Sequence, residues 1–538
     1  MKKLLLLSII LLSLNSYCQL QDALVFFDDK ENVAASIANP ITILSQAAID
    51  RKNNQGILID ERDVPVNETY KTTVANAQGI TVLAKSKWMN AVYVRGSQAN
   101  IENLEDLSFV SEIEYMDRSL NRDFPQPTVR DKFEIETPNR VIYNYGAAEN
   151  QTEMIGVDYL HEQDFTGEGI TVAFLDNGYP NVLYNPAFEK MRTEGRLLGY
   201  YDFVERIESY QGSGNHGAHT LSDAAGYLEG QFVGTAPNAS YYLFITEDGG
   251  SETPAEEAYW LEALERADSL GVYVTNTSLG YQDFDNPAYT YQYSDLDGHT
   301  ALASRGANHG YDKGLINVTS AGNSGTNFGY VGSPADAPGA FTIGAVDADG
   351  DYAFFSSYGP TYDGRVKPDV MAQGELAAIV NQYGTVTTTN GTSFSSPITA
   401  GAVASLWQAF PNKTNEVIMQ AIRESASLYN SPTDQMGYGI PNFEGALNLL
   451  LQLDVEDQMK ETLFALYPNP VIDIINISFP KNSDRAELVL YDVLGKVVLK
   501  KVITPSKNQV NVSHLSSGMY IASLTSNNKT TSFKIIKE

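Results

Sequence analysis

Cysteine is almost missing from this sequence, which contains one, Cys18, among 538 residues. A disulfide needs two cysteines, so none can form within the chain. The fold must therefore be held by burial of a hydrophobic core, with bound ions as a second source of stability.

Basic residues are also in short supply. The chain has 36 Lys and Arg against 66 Asp and Glu, which leaves a formal net charge of −30. Such a charge repels phosphate backbones and anionic lipids, so neither nucleic acid nor a membrane surface is expected as a partner. With 43% hydrophobic and 19% charged residues, the chain has the composition of a globular protein.

Long apolar runs are few. A basic start at residues 1–3 is followed by an apolar run at 4–14, which is too short to span a bilayer as a mature helix. This pattern predicts a secretory signal peptide over 1–18, cut near Cys18. Lipid attachment at Cys18 is the less favoured alternative, because bulky Tyr17 precedes it. No later run suits a transmembrane segment, so the mature form should have none.

The length predicts two to four domains, because a single core does not grow to this size. Short apolar strands and one short helix over 19–122 predict a small α+β module. A proline-bearing polar stretch over 123–151 predicts an exposed linker with a processing site. Residues 451–462 are polar and acidic and predict a second linker. Short alternating strands and a glycine hairpin turn then predict a small β-sandwich over 463–538.

Between the linkers, over 152–450, apolar strands alternate with helical patterns. This alternation predicts a doubly wound, mostly parallel α/β sheet with helices on both faces. Ligands of such sheets bind at the carboxyl ends of the strands. Asp176, Ser278 and Asn323 all fall at or just after predicted strand ends, which makes them candidates for one shared site.

A further candidate, Ser393, lies in the stretch Gly391-Thr392-Ser393, which leads into an apolar, buried helix. Pro397 is tolerated in the first turn, where amides lack helical partners. A serine at this place is most often a helix cap. It can also present a nucleophilic hydroxyl to a cleft, provided that a base, an acid and an oxyanion donor lie nearby.

The sequence offers one candidate for each of these roles: His216 as base, Asp176 as acid and Asn323 as oxyanion donor. Taken alone, each signal is weak. Asp176 and Asn323 suit turns, and His216 with His219 could be a metal pair or a capped core pair. Together they follow the order Asp, His, Ser, which is one of the known orders of serine-protease triads.

On these motifs, residues 152–450 resemble the subtilisin-like serine proteases, or subtilases. Two residues depart from the usual family pattern, Asn177 after the acid and Ala218 in the histidine motif. The matching segments are His216-Gly217-Ala218-His219, Gly391 to Pro397, Ser320 to Asn323, Gly234 to Pro237, Phe355 to Pro360 and Asn276 to Gly280.

The resemblance implies a role for each motif. His216 would be the base and Asp176 the acid, Ser393 the nucleophile, and Asn323 the oxyanion-hole amide. Ser278, Leu279 and Gly280 would line the cleft and pair with the substrate backbone. His219 would be structural, and no metal ligand is assigned.

The flanks also resemble known modules. Residues 19–122 resemble a subtilase propeptide, which assists folding and plugs the cleft as an intramolecular inhibitor. Residues 463–538 resemble the C-terminal sorting domain of the Bacteroidetes type IX secretion system, which implies export from a Gram-negative bacterium and release or surface attachment. A carbohydrate-binding or adhesive sandwich is the alternative for this last unit.

No cofactor is expected to be required. Structural calcium is common in subtilases, but this sequence places no site for it. Asp347 to Asp351 and Asp295 to Gly298 have the composition of calcium loops. The first lacks the closing Glu of an EF-hand, and a plain turn is the favoured interpretation.

We therefore expect a secreted serine endopeptidase made as a zymogen, acting on proteins or peptides. Two alternatives stay open: a non-catalytic surface-binding protein on a subtilase scaffold, and an acyl hydrolase that uses the same triad. The chain lacks the Gly-x-Ser-x-Gly elbow typical of many acyl hydrolases.

Overall fold

The structure is a computed structural model that describes residues 20–121, 143–462, 464–480, 483–526 and 529–538. The predicted signal peptide and most of the first predicted linker lie outside these residues. The chain divides into two compact units, residues 1–449 and 450–538, and each is described by itself.

The first unit begins with the predicted α+β module. Its four strands form an antiparallel sheet in the order β2-β3-β1-β4. Alternating apolar residues of these strands pack with Val66, Val74, Ile101 and Leu104 in a core of their own. The strands are β1 (Leu20–Phe27), β2 (Ile80–Ser86), β3 (Ala91–Ser97) and β4 (Val110–Tyr115), and the helices are α1 (Val33–Ala38), α2 (Gln46–Gln55), α3 (Glu68–Ala75) and α4 (Gln98–Glu102).

The α/β region is organised around a seven-stranded sheet in the order β13-β12-β11-β10-β5-β9-β6. All neighbouring strands in it run parallel, which confirms the predicted parallel sheet. The central strands are buried along nearly their whole length, as sheets covered on both faces require. The strands are β5 (Thr171–Asp176), β6 (Leu197–Asp202), β9 (Ser240–Ile245), β10 (Val274–Thr277), β11 (Ile316–Ser320), β12 (Ala340–Val346) and β13 (Val370–Gln373).

Two short hairpins accompany this sheet. Strands β7 (Tyr227–Leu228) and β8 (Phe232–Val233) form one of them. Strands β14 (Ala377–Val380) and β15 (Val386–Thr389) form the other, which leads directly into the segment that contains Ser393.

Helices cover both faces of the large sheet, and the alternation of side chains along β10 shows this directly. Thr277 accepts a hydrogen bond from Trp260 on one face, whereas Asn276 bonds to Ser396 on the other. The helices are α5 (Glu149–Glu153), α6 (Val157–Glu162), α7 (Glu189–Thr193), α8 (His216–Ala225), α9 (Ala255–Leu270), α10 (Leu302–Asp312), α11 (Thr392–Ala409), α12 (Asn415–Ser425) and α13 (Phe443–Thr462).

Two elements differ from their sequence-based expectation. The strand expected at 272–274 runs instead over Val274–Thr277, because Gly271 ends α9 with a φ of 87° and Val272 still bonds to that helix. The polar stretch 451–462 forms the second half of α13. It contains no Gly or Pro and is rich in good helix formers.

The second unit contains two antiparallel sheets, with strand orders β16-β17-β20 and β19-β18-β21-β22. Ile475 and Ile477 of one sheet share a core with Leu488 and Leu490 of the other, as in a β-sandwich. The predicted hairpin turns at Gly495, whose φ is 80°. The strands are β16 (Ala465–Tyr467), β17 (Ile474–Ser478), β18 (Ala486–Tyr491), β19 (Val497–Ile503), β20 (Gln509–Asn511), β21 (Gly518–Ser526) and β22 (Lys529–Lys537).

Candidate active site

Three of the predicted site residues meet at the carboxyl edge of the parallel sheet. Asp176 is the last residue of β5, His216 is the first residue of α8, and Ser393 lies in the first turn of α11. Helices α8 and α11 pack against each other, and the rings of His216 and Phe394 are 5.8 Å apart. The fold therefore brings together residues that are more than 200 positions apart in sequence.

Asp176 is fully buried, and both of its carboxylate oxygens are hydrogen-bonded. Oδ1 lies 2.8 Å from His216 Nδ1 and accepts a 2.8 Å bond from the Asn177 backbone amide. Oδ2 accepts a 3.1 Å bond from the Thr220 hydroxyl. Asn177 thus bonds to this carboxylate through its backbone amide, which any residue except proline could provide. Thr220 lies one helical turn after His216, but no motif in the sequence indicates its contact with Asp176.

The charge state of His216 depends on two carboxylates. Burial by itself lowers the pKa of this imidazole, but Asp176 outweighs burial through its charge and its hydrogen bond, and Glu247 adds to the effect. The net result is a pKa above the ordinary 6.5. The imidazole side chain is 29% exposed, so it remains accessible from the cleft.

Ser393 is held by the geometry of the loop before α11. Gly391 has a φ of 150°, a conformation that residues with side chains rarely adopt. A Cβ at Gly391 would lie 3.4 Å from the Phe394 ring and 3.6 Å from Asn323 Nδ2, which are ordinary contact distances. The backbone conformation, rather than lack of space, therefore favours glycine here. The Ser393 hydroxyl donates a 3.3 Å hydrogen bond to the carbonyl of Ser278.

Asn323 is exposed at the same edge, three residues after β11. Its Oδ1 accepts hydrogen bonds from the Thr392 amide at 2.9 Å and from the Thr392 hydroxyl at 3.0 Å. These bonds fix the orientation of the side-chain amide. Because the oxygen is held at the start of α11, the NH₂ group is the half that can bind an anion beside Ser393.

The predicted substrate segment follows β10 directly. Ser278 is buried and its hydroxyl donates a 2.8 Å hydrogen bond to the backbone carbonyl of Ser393. Leu279 is half-buried and Gly280 is exposed. The backbone of this segment can thus face a ligand, whereas the Ser278 side chain contacts the start of α11 instead.

The other titratable candidates lie within a helix or in a turn. His219 Nε2 lies 2.7 Å from Gln382 Oε1. Asp347 accepts bonds from the Asp349 and Asp351 amides, as a plain turn does. Within the described residues, no group of three or more His, Cys, Asp and Glu side chains is arranged to hold a metal ion.

Three family models match this chain. The peptidase S8 propeptide domain of Bacteroidota matches residues 22–132, the subtilase family matches residues 167–439, and the secretion system C-terminal sorting domain matches residues 465–538. The chain belongs to the subtilase family. The sorting domain marks it for export, so the protein is secreted or attached to the cell surface. No helix in the described part of the chain is long and apolar enough to cross a membrane.

Several characterised proteases are similar to this chain. Serine protease AprX of Bacillus subtilis (strain 168) is 29% identical over 318 residues, which cover 53% of this chain and 65% of AprX. The alkaline protease of Alkalihalobacillus alcalophilus is 30% identical over 288 residues, covering 53% and 66%. Subtilisin Savinase of Lederbergia lenta is 29% identical, covering 53% and 93%. The chain thus spans slightly less than two thirds of the first two relatives.

Among solved structures, the chain is similar to MycP1 with its N-terminal propeptide removed. The TM-score is 0.44 at 22% identity, over 56% of this chain and 96% of MycP1.

Proposed function

We propose that the protein is a secreted serine endopeptidase, made as a zymogen, that hydrolyses peptide bonds in proteins. The observation that carries this proposal is the hydrogen bond between Asp176 and His216, formed beside the first turn of α11, which contains Ser393 and is bonded to Asn323. In the proposed mechanism, Ser393 attacks the scissile carbonyl. His216 accepts its proton and then gives it to the leaving amine. These groups need no cofactor for this chemistry.

The remaining groups stabilise charge. Asp176 holds the imidazole tautomer and stabilises the imidazolium that forms during attack. The Asn323 amide and the backbone N–H of Ser393 at the start of α11 bind the oxyanion. The backbone of Ser278 to Gly280 pairs with the substrate as an added strand.

We also propose that the N-terminal module is an intramolecular inhibitor, released by cleavage. Glu265 on α9 holds the turn between β2 and β3. Its carboxylate accepts hydrogen bonds of 2.6 to 3.0 Å from the Ser86 hydroxyl and from the backbone amides of Lys87 and Trp88. On the adjacent helix α10, Arg305 pairs with Glu114 at 2.8 Å. The type IX secretion machinery is the proposed partner of the sorting domain.

A fluorophosphonate probe and two substrates test this proposal. A serine peptidase should be labelled at Ser393 and should cleave casein faster than a nitrophenyl ester. A binding protein would not be labelled, and an acyl hydrolase would be labelled but would prefer the ester.

Replacing Asn323 should weaken transition-state binding specifically. We expect Asn323→Ala to lower kcat about 100–1000-fold with little change in KM, since an oxyanion donor acts mainly in the transition state. Steady-state kinetics on a peptide substrate provide the measurement. Asn327→Ala, four residues further along the same exposed loop, is the control and should retain activity. Equal kcat values for the two variants would contradict the role of Asn323.

The pH profile of kcat/KM should reflect the carboxylates near His216. Only the neutral imidazole can act as base, so the raised pKa places the acid limb above pH 6.5. Glu247 follows β9 and accepts bonds from Thr246 and Tyr281 at 2.7 and 2.8 Å. Burial raises the pKa of Glu247 to about 7, so this carboxylate carries only part of its charge at the acid limb. Glu247→Gln removes that charge, so the imidazole loses its proton more easily and the limb should move slightly to lower pH. Asp248→Asn, which alters an exposed neighbour, should leave the limb in place, and identical limbs in all three proteins would refute the effect.

A further inference from the structure

A chain of buried hydrogen bonds connects the end of β10 to the first turn of α11. It starts at Ser396, whose hydroxyl donates to Asn276 Oδ1 at 2.8 Å. The other end of the same amide, Asn276 Nδ2, donates to Ser278 Oγ at 3.0 Å. Asn276 and Ser396 are both fully buried, so water does not replace these bonds and each one fixes the direction of the next.

The chain ends on the proposed nucleophile. The Ser278 hydroxyl has a single proton, and because its oxygen already accepts from Asn276, that proton is given to the Ser393 carbonyl at 2.8 Å. In return, the Ser393 hydroxyl donates to the Ser278 carbonyl at 3.3 Å. Two hydrogen bonds therefore connect Ser278 and Ser393. In the shorter one, the bond from Asn276 determines that the Ser278 hydroxyl is the donor.

We infer that Asn276 is a positioning residue that fixes Ser393 relative to the Ser278–Gly280 segment. This inference rests on the proposed function. The amide of Asn276 bonds both to Ser278, the first residue of that segment, and to Ser396, three positions after Ser393 in α11. These two bonds thereby fix the position of the start of α11 relative to the end of β10.

The expected consequence is kinetic. A misplacement of about 1 Å between reacting groups can reduce the rate about 100-fold. Loss of Asn276 frees the Ser278 hydroxyl to rotate and removes the partner of Ser396. The nucleophile then samples more orientations, while the backbone that pairs with substrate stays in place. Turnover should therefore fall much more than substrate affinity.

The neighbouring strand residue provides a matched control. Thr275 is also fully buried in β10, but its side chain points to the opposite face and bonds to Asn317 Oδ1 at 3.2 Å. Asn276→Ala and Thr275→Ala each truncate one buried polar side chain in the same strand. A merely structural role predicts similar effects for the two variants, whereas a positioning role predicts different ones.

The experiment measures reaction per active site in the full-length protein after its own processing. Fluorophosphonate labelling is followed to its end point, which counts competent sites, and its rate constant reports the reactivity of Ser393. For Asn276→Ala we expect the labelling rate per site and kcat to fall roughly 10–100-fold, with KM within about threefold of the wild-type value. Thr275→Ala should stay within about threefold in all three quantities.

Two results would show that Asn276 does not position Ser393. Equal rates per site for Asn276→Ala and Thr275→Ala, or a loss confined to the labelled fraction, would overturn the positioning role. If Asn276→Ala does not fold, Ser396→Ala removes only the far end of the chain and is judged by the same criteria. Wild-type protein that is not labelled would instead overturn the proposed function and this inference with it, whereas a labelled wild type keeps the two questions separate.

Discussion

Ser393→Ala is expected to reduce the turnover of a protein substrate about a million-fold, as loss of the nucleophile does in subtilisin, the worked example for this figure. The alanine side chain cannot form the acyl-enzyme, so only binding and the oxyanion donors remain. Ser393 is 8% exposed and its hydroxyl makes a single long bond, so the substitution should barely change stability. The measurement is casein hydrolysis over hours, combined with mass spectrometry of the variant, which shows whether its N-terminal module has been cleaved off.

The matched control is Ser405→Ala in the same helix. Ser405 is fully buried and donates to the Thr235 carbonyl at 2.7 Å, three turns after Ser393. It should lose about 1 kcal/mol of stability and keep its activity. If Ser393→Ala retained wild-type hydrolysis, the nucleophile would have to be assigned elsewhere. The variant should also remain uncleaved between its N-terminal module and the α/β region, if processing is autocatalytic.

The parallel sheet could be predicted because its strands are strongly apolar and end at recognisable turns. β5 illustrates this, since an unbroken apolar run stops at Asp176. The start of β10 could not be placed, because Val272 and Tyr273 are more apolar than Thr275 to Thr277, which form most of the strand. Gly271 shifts the boundary by two residues through its left-handed conformation. The helical conformation of 451–462 could not be read from its polar, acidic composition, which is also typical of a linker, although the stretch has no Gly or Pro and many good helix formers.

The candidate site also contains residues that could be predicted from the sequence and residues whose contacts could not. Residues that stand in motifs, such as His216 and Ser393, could be placed from sequence alone, and their roles stay predictions until kinetics test them. Asn276 and Ser396 stand in matching segments, but their hydrogen bond to each other could not be predicted, nor could the bond from Thr220 to Asp176, because these are tertiary contacts that a single sequence does not encode locally. The backbone of Ser278 is expected to pair with substrate, and this stays a prediction. Its side chain faces α11, a contact that could not be predicted because it depends on how β10 packs against α11.

The N-terminal module is tied to α9 by buried charges, and this gives the second large prediction. Asp268 pairs with Lys52 at 2.7 Å and also with Arg51, and all three side chains are fully buried. Burial by itself raises the pKa of Asp268, but Lys52, Lys87 and Arg51 outweigh it and lower the pKa to about 2. This stabilisation is therefore complete above the ordinary 3.8 and is lost as pH falls through about 2.

Asp268→Asn should loosen the module by about 3–5 kcal/mol, because it leaves two buried cations without their main counter-charge. The test uses the Ser393→Ala chain, with mass spectrometry to verify that its N-terminal module is still attached, and hydrogen exchange of the β3 amides at pH 7. We expect exchange to accelerate roughly 100-fold or more.

Asp312→Asn is the control. Asp312 also forms an ion pair with the module, through Arg62, but its side chain is 56% exposed. A surface pair is worth under about 1 kcal/mol, so this control should change exchange less than about fivefold. Similar exchange in both variants would show that the buried charges do not hold the module, and that apolar contacts and the hydrogen bonds of Glu265 do.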